Sequence, residues 1–316
     1  MQFSGPKAAE SLTGLVTNDV LSLRDGQGQY ACALTPKGRI IADVRVLAIG
    51  GDAGAIESLL VDATPAAGVG FSAMIRKYVN PRLAKYVDVT ATTSCLTLVG
   101  GGAIALLRTV GFADGVLTQL TDASPFSHLA VTIGDIETRL VMTPELGLMP
   151  AIDLHVANEH RAPLEALLIG AGAVHGDEAE WHRLRVLAGR PEWGIDMDEG
   201  TLAQEANMDA LQAISYKKGC YTGQETVARV HFRGHVNRTL RQVRFTDGAA
   251  PSAGTSLMDQ NDAVVGDARS SALASDGVPI GIAMVRREVG AGAALRWSAD
   301  SGETHGLVVL DAPSDD

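Results

Sequence analysis

From Val236 onward the apolar residues of this chain come only in short runs, at 240–245, 263–268, 279–285, 294–297 and 306–310, parted by clusters of Gly, Asp, Ser and Pro. Such runs are too short for helices but suit strands, which cross a small sheet in about five or six residues. Successive short strands with turn residues between them predict a small antiparallel β-barrel over 236–316, with a boundary near 234–238. The tail 312–316 is expected to fray.

Upstream, the order is mixed. Two β-rich runs, 29–35 and 39–49, flank Pro36-Lys37-Gly38, which reads as a hairpin turn. Helical spacing covers 54–61 and 66–79, with Met74, Ile75 and Tyr78 on one stripe and Asn80-Pro81 ending the second helix. Strands are expected at 83–90, 95–99, 138–142 and 152–157, and helices at 103–110, 161–168 and 178–187. The last helix turns Trp181, Leu184 and Leu187 inward and puts Arg185 near its C-terminal turn, ahead of Gly189. Hairpins mixed with helices predict an α+β fold, not a doubly wound parallel sheet. A chain of 316 residues, 46% hydrophobic and 20% charged, can bury ample core without disulfides.

Cys32, Cys95 and Cys220 are too few and too scattered for a disulfide framework, which points to a reducing, cytoplasmic setting. A conventional iron–sulfur cluster takes four thiolates, so one chain cannot hold one alone. The N-terminal residues carry no signal-peptide pattern, and the uncharged stretch 89–107 is broken by Thr and by Gly100-Gly101-Gly102, so no membrane span is expected. The histidine pairs 155/160, 175/182 and 231/235 lack metal-site spacing, and no metal is expected. A net charge of −11 argues against general adhesion to nucleic acid or anionic lipid. Between Lys217 and Arg244, however, seven basic residues face one acid, Glu225, a local net of +6 that suits an anion or stays solvated.

The densest chemistry lies in Lys218-Gly219-Cys220-Tyr221-Thr222-Gly223-Gln224-Glu225, followed by Arg229. Thr222 and Glu225 have capping-box spacing, which would put Cys220 just outside a helix N-terminus with Lys218 beside it. Helix dipole and ammonium together favour a thiolate, making Cys220 a candidate reactive thiol and Lys218 its activator; the plainer alternative is a small packing residue. Cys32 and Cys95, in apolar runs, read as buried structural thiols.

This octapeptide resembles the signature of the YgfZ-type folate-binding proteins, relatives of the glycine-cleavage T-protein that act in iron–sulfur cluster assembly or repair. Other segments are similar to that superfamily: Gly14-Leu15-Val16-Thr17-Asn18-Asp19, the run 34–43 with Asp43, Arg185 to Met197, and Leu202-Ala203-Gln204-Glu205. The resemblance implies a T-protein-like α+β region over 1–235, of two interleaved subdomains, before the barrel. It implies that tetrahydrofolate or a one-carbon derivative sits in a central cavity with Cys220 near its mouth. Asp43, Glu205 and Arg185 match pocket positions, and Asn18, Tyr86, Tyr221, Gln224 and Arg229 join them by position or signature. Carboxylates suit the aminopyrimidine edge of a pterin and arginine a carboxylate tail, though an outward-facing strand position for Asp43, a cap on the helix that follows for Glu205 and an ordinary surface ion pair for Arg185 stay open. Ala42 stands where the T-protein carries a second acid, which leans away from turnover. The resemblance therefore implies a folate-binding partner of iron–sulfur client or assembly proteins. The alternatives are a folate-dependent aminomethyltransferase or demethylase, and an RNA-binding or tRNA-modification accessory protein using residues 217–244.

Overall fold

The computed structural model describes residues 1–50, 56–146 and 149–310. Two compact units interleave in sequence. The first takes Met1–Ala33, Ala42–His175 and Gln212–Thr222; the second takes Leu34–Ile41, Gly176–Leu211 and Gly223–Asp316.

The first unit contains β1 (Gln2–Ser4), α1 (Ala8–Thr13), most of β2 (Gly28–Leu34) and β3 (Ile40–Gly50), β4 (Ile56–Asp62), α2 (Pro65–Tyr78) and β5 (Lys85–Val87). Their sheet runs β2-β3-β4-β1-β5. After it come β6 (Thr93–Val99), α3 (Ala103–Val110), α4 (Asp114–Thr121), β7 (His128–Ile133), β8 (Ile136–Leu146), β9 (Met149–Ala157) and α5 (Asn158–Gly170). These strands form a second antiparallel sheet in the order β6-β9-β8-β7. Leu107, Leu117, Leu140, Leu154 and Leu164 pack helices α3 to α5 onto it. Period-2 alternation in β7, with Leu129, Val131 and Ile133 packed against this core, fits a sheet with one solvated face.

In the second unit, α6 (Glu178–Leu187) and α7 (Gln224–Arg233) precede β10 (Arg238–Phe245), β11 (Ser256–Met258), β12 (Val264–Leu273), β13 (Pro279–Arg286), β14 (Ala294–Ser298) and β15 (Thr304–Val309). The six strands close as β10-β13-β12-β11-β14-β15, because β10 pairs with both β13 and β15. Closure leaves no open edge, and Val243, Phe245, Val285, Leu295 and Leu307 fill the interior. The α+β architecture with its C-terminal barrel thus stands as expected.

Several local expectations need correcting. The stretch 54–61 is not helical: its described part is β4, paired in register with β3 and β1. Long-range pairing decides there, while the helix signal begins later at Thr64, whose hydroxyl accepts from the Ala67 amide, and at Pro65 in the first turn. Tyr78 and Trp181 are exposed; Phe71 completes the inward stripe of α2, and α6 buries Leu184, Arg185 and Val186. The tail 312–316 lies outside the described residues.

His128 opens β7 buried, its Nδ1 2.8 Å from the Arg139 guanidinium. Burial, and then that positive charge, push its pKa down to about 4. The unfolded chain therefore takes up this proton near pH 6.5, whereas the folded chain waits until about 4. Stability from this group is present above pH 6.5 and is lost as pH falls to 4, by about 3 kcal/mol in all. Urea midpoints at pH 7 and pH 4.5 should differ less in His128→Gln than in the parent protein; an identical pH response would contradict this.

Candidate functional site

Residues 218–222 of the signature belong to the first unit, and Gly223 opens the part in the second. Lys218 is buried, and its ammonium donates to the backbone carbonyls of Thr13, Val16 (2.6 Å) and Asn18 (2.7 Å). Three N–H groups meet three acceptors, and the same Nζ lies 4.7 Å from the centre of the Tyr221 ring. The lysine thus ties the signature to the loop 13–18. Burial pulls its pKa down to about 8, with Asp19 partly opposing, so it stays charged at neutral pH.

From that loop the network runs inward. Asn18 Nδ2 donates to the carbonyls of Tyr30 (2.9 Å) and Gln212 (2.8 Å), and the Tyr30 hydroxyl donates to Asp43 Oδ2 at 2.7 Å. Thr17 reinforces it, donating to the Ala213 carbonyl at 2.6 Å and accepting from the Cys32 amide at 2.8 Å. Lys218, Tyr221, Asn18 and Asp43 are therefore joined in one connected cluster, with Asp43 buried on β3 rather than facing outward. Tyr30 was not foreseen. It stacks on Phe126 with ring centres 6.2 Å apart and so presents its hydroxyl from a fixed ring. Its only sequence signal is a phenol in a strand beside the Pro36-Lys37-Gly38 turn.

The helix after the signature starts later than the capping box requires. Gly223, not Thr222, is the N-cap of α7, at φ 85, and no side chain caps it. A Cβ at Gly223 would lie 2.7 Å from the Thr35 carbonyl oxygen, and one at Gly38 2.8 Å from Thr226 Cβ. Both glycines let α7 close onto the hairpin turn, a geometry only glycine allows. Cys220 is exposed, as is Arg229, while Gln224 is half-buried in the first turn of α7. Cys32 is buried as expected, and burial followed by the Asp43 charge pushes its thiol well up. Cys95 departs from expectation: it is exposed on β6.

Three other candidates are placed differently. Tyr86 sits on β5, against Phe3, and β5 is separated from β3 by two strands, roughly 14 Å at ordinary strand spacing. Glu205 is buried in the second unit, accepting from the Leu202 amide (2.8 Å) and Arg238 Nε (3.1 Å), with Arg39 3.7 Å away. It clasps its own loop. Arg185 is also buried, and its guanidinium is taken up by Asp196, Glu192 (2.8 Å), Ser270 (2.9 Å) and the Arg190 carbonyl (3.3 Å). A guanidinium so engaged offers no open fork to a carboxylate tail. The basic run 217–244 is likewise largely committed, since Lys218, Arg238, Arg241 and Arg244 bond the Thr13, Val16 and Asn18 carbonyls, Glu205, the Leu310 carbonyl and Asp276.

Comparison with known proteins agrees with this architecture. The GCVT N-terminal domain family matches residues 1–218. A tRNA-modifying protein YgfZ from Klebsiella pneumoniae is 28% identical over 256 residues, covering 80% of this chain and 71% of that protein. Another YgfZ, from Cronobacter sakazakii, is 26% identical over 98% of this chain and 88% of its own. An iron-sulfur cluster assembly factor IBA57 homolog, mitochondrial, from Neurospora crassa is 28% identical over 78% of this chain, which spans 52% of it. The glycine cleavage system aminomethyltransferase T of Bartonella henselae superposes with a TM-score of 0.85 at 18% identity, over 99% of this chain and 82% of that one. Among the described residues no helix is long and apolar enough to cross a membrane. With residues 1–218 matched by its domain and YgfZ proteins among its relatives, the chain belongs to the GCVT N-terminal domain family as a YgfZ-type, T-protein-like member.

Proposed function

We propose that this chain binds a reduced folate in its first unit and supports the assembly or repair of iron–sulfur enzymes, with Cys220 as its functional thiol. The observation that carries this reading is the connected cluster of Lys218, Asn18, Tyr30 and Asp43. A buried carboxylate already oriented by a phenol suits the N–H-rich edge of a pterin, because a carboxylate is an acceptor that matches paired N–H donors. A bound one-carbon derivative of tetrahydrofolate would supply a one-carbon unit carried on its reduced nitrogens. The protein's own part is to hold the pterin edge at Asp43, to fix Asp43 through Tyr30, and to hold the exposed Cys220 segment in place through Lys218. Binding rather than turnover is favoured by Ala42, fully buried beside Asp43 where the T-protein resemblance expects an acid. The iron–sulfur part rests on the name of the IBA57 homolog.

The YgfZ relatives, named as tRNA-modifying proteins, support a second reading, an accessory role in tRNA modification. It is weakened by the basic side chains already committed within the protein. In a strain lacking its own YgfZ-type protein, Cys220→Ala should fold and bind folate yet leave iron–sulfur enzyme activities unrestored. The parent chain should restore them. Full restoration by Cys220→Ala would make the cysteine a bystander.

A further inference from the structure

Three cross-strand pairs of polar residues meet in the first unit on strands that carry none of the signature. Pairing of β6 with β9 sets Cys95 opposite His155 and Thr97 opposite Asp153. Alternate residues of a strand share a face, so these four side chains form a two-by-two grid on one side of the sheet. Arg45 and Asp62, opposite each other on β3 and β4, meet the grid. The Arg45 guanidinium donates twice to Asp62, at 2.7 Å each, and also to Asp153. Thr97 Oγ1 donates to Asp153 Oδ1 at 2.7 Å. One donor atom each from Cys95, Asp153 and His155 all lie within 4.8 Å of one another.

A second feature of the cluster points to a ligand. His155 is more than nine-tenths buried, and its Nε2 makes no hydrogen bond; Asp62 Oδ2 stands 3.6 Å away. Buried polar atoms are nearly always bonded, and an unbonded one among other metal-ligating groups calls for a partner. Asp62 and Asp153 both accept from the Arg45 guanidinium. Cys95, on the edge strand of its sheet and exposed, gives access from solvent.

We propose that Cys95, Asp153 and His155 bind a divalent transition-metal ion of the zinc class. A thiolate, an imidazole and a carboxylate make the borderline-soft, tetrahedral donor set that zinc prefers, with a fourth position left for Asp62 or water. Binding breaks the Cys95 S–H bond: the proton goes to solvent and the sulfur lone pair forms the metal–sulfur bond. Thr97 and Arg45 stay on Asp153 as outer partners that orient it, each oxygen keeping a lone pair for the metal.

The test uses the full chain, stripped with a chelator under a thiol-free reductant and then titrated with Zn2+ against a chromophoric competitor and with Co2+ by absorption. The expected result is one ion per chain and a thiolate-to-cobalt charge-transfer band. Cys95→Ser should abolish the band and weaken zinc binding by at least about 100-fold, and Asp153→Asn should weaken it comparably. Thr97→Val should weaken it by about 10-fold. His175→Ala, at an exposed histidine outside the cluster, should bind as the parent does. Failure to bind one ion tightly, or a charge-transfer band that survives Cys95→Ser, overturns the assignment.

Discussion

Replacing Arg185 with Met should cost about 3 to 5 kcal/mol of stability, the range expected when one partner of a buried ion pair is removed. Asp196 has no exposed surface, and its oxygens accept from Arg185, the Ser270 hydroxyl and the Glu192 amide. Without the guanidinium its carboxylate stays buried with only neutral donors, and Glu192 loses its 2.8 Å ion pair. The double variant Arg185→Met, Asp196→Asn should recover part of the loss, because it removes the orphaned charge as well. All three tryptophans, Trp181, Trp193 and Trp297, lie in the second unit with this network, so tryptophan fluorescence during urea unfolding reports on it. A loss below about 1 kcal/mol would show that the network is solvated.

Lys218→Met should destabilise the first unit by about 3 kcal/mol. The substitution keeps an apolar stem but strips the donors from three backbone carbonyls in the loop 13–18. An unsatisfied buried acceptor costs about 1 to 3 kcal/mol, and partial access of water to the loop keeps the total below the sum. Lys218→Arg should not restore the parent value, because a planar guanidinium cannot splay its donors as an ammonium does. Hydrogen exchange at the amides of 14–20 should quicken in both variants. Unchanged exchange would contradict the anchoring role.

The barrel was the most legible part of the fold, because its strands are apolar runs with turn residues on each side. Its missed strand, β11, is only three residues long and makes sense only as the element between β12 and β14. The sequence Ile56-Glu57-Ser58-Leu59-Leu60-Val61 is compatible with helix or strand, and its partners at 2–4 and 45–50 are remote in sequence or lie on another element. For the candidate site, the signature announced itself, but its internal geometry did not. Thr222 and Glu225 have capping spacing, yet Gly223 takes the cap because α7 must close onto the turn at Thr35. The partners of Lys218 lie 200 or more residues away, which no local pattern encodes. Arg185 was legible as a special residue, whereas its burial depends on Ser270 in a different segment. Cys95 and His155 meet only through strand register, so histidine spacing alone could not reveal them.

The central claim, a reduced folate held at Asp43, is tested most directly by calorimetric titration of the purified chain with tetrahydrofolate, and with tRNA, at two salt concentrations. The expected result is saturable one-to-one folate binding that changes little with salt. Asp43→Asn, with a parent-like unfolding midpoint, should weaken it by about 1 to 3 kcal/mol, since an acceptor facing the pterin edge becomes in part a donor. A chain that ignores folate but binds tRNA with an affinity falling steeply with salt, or an Asp43→Asn variant that binds folate as tightly as the parent, would contradict it.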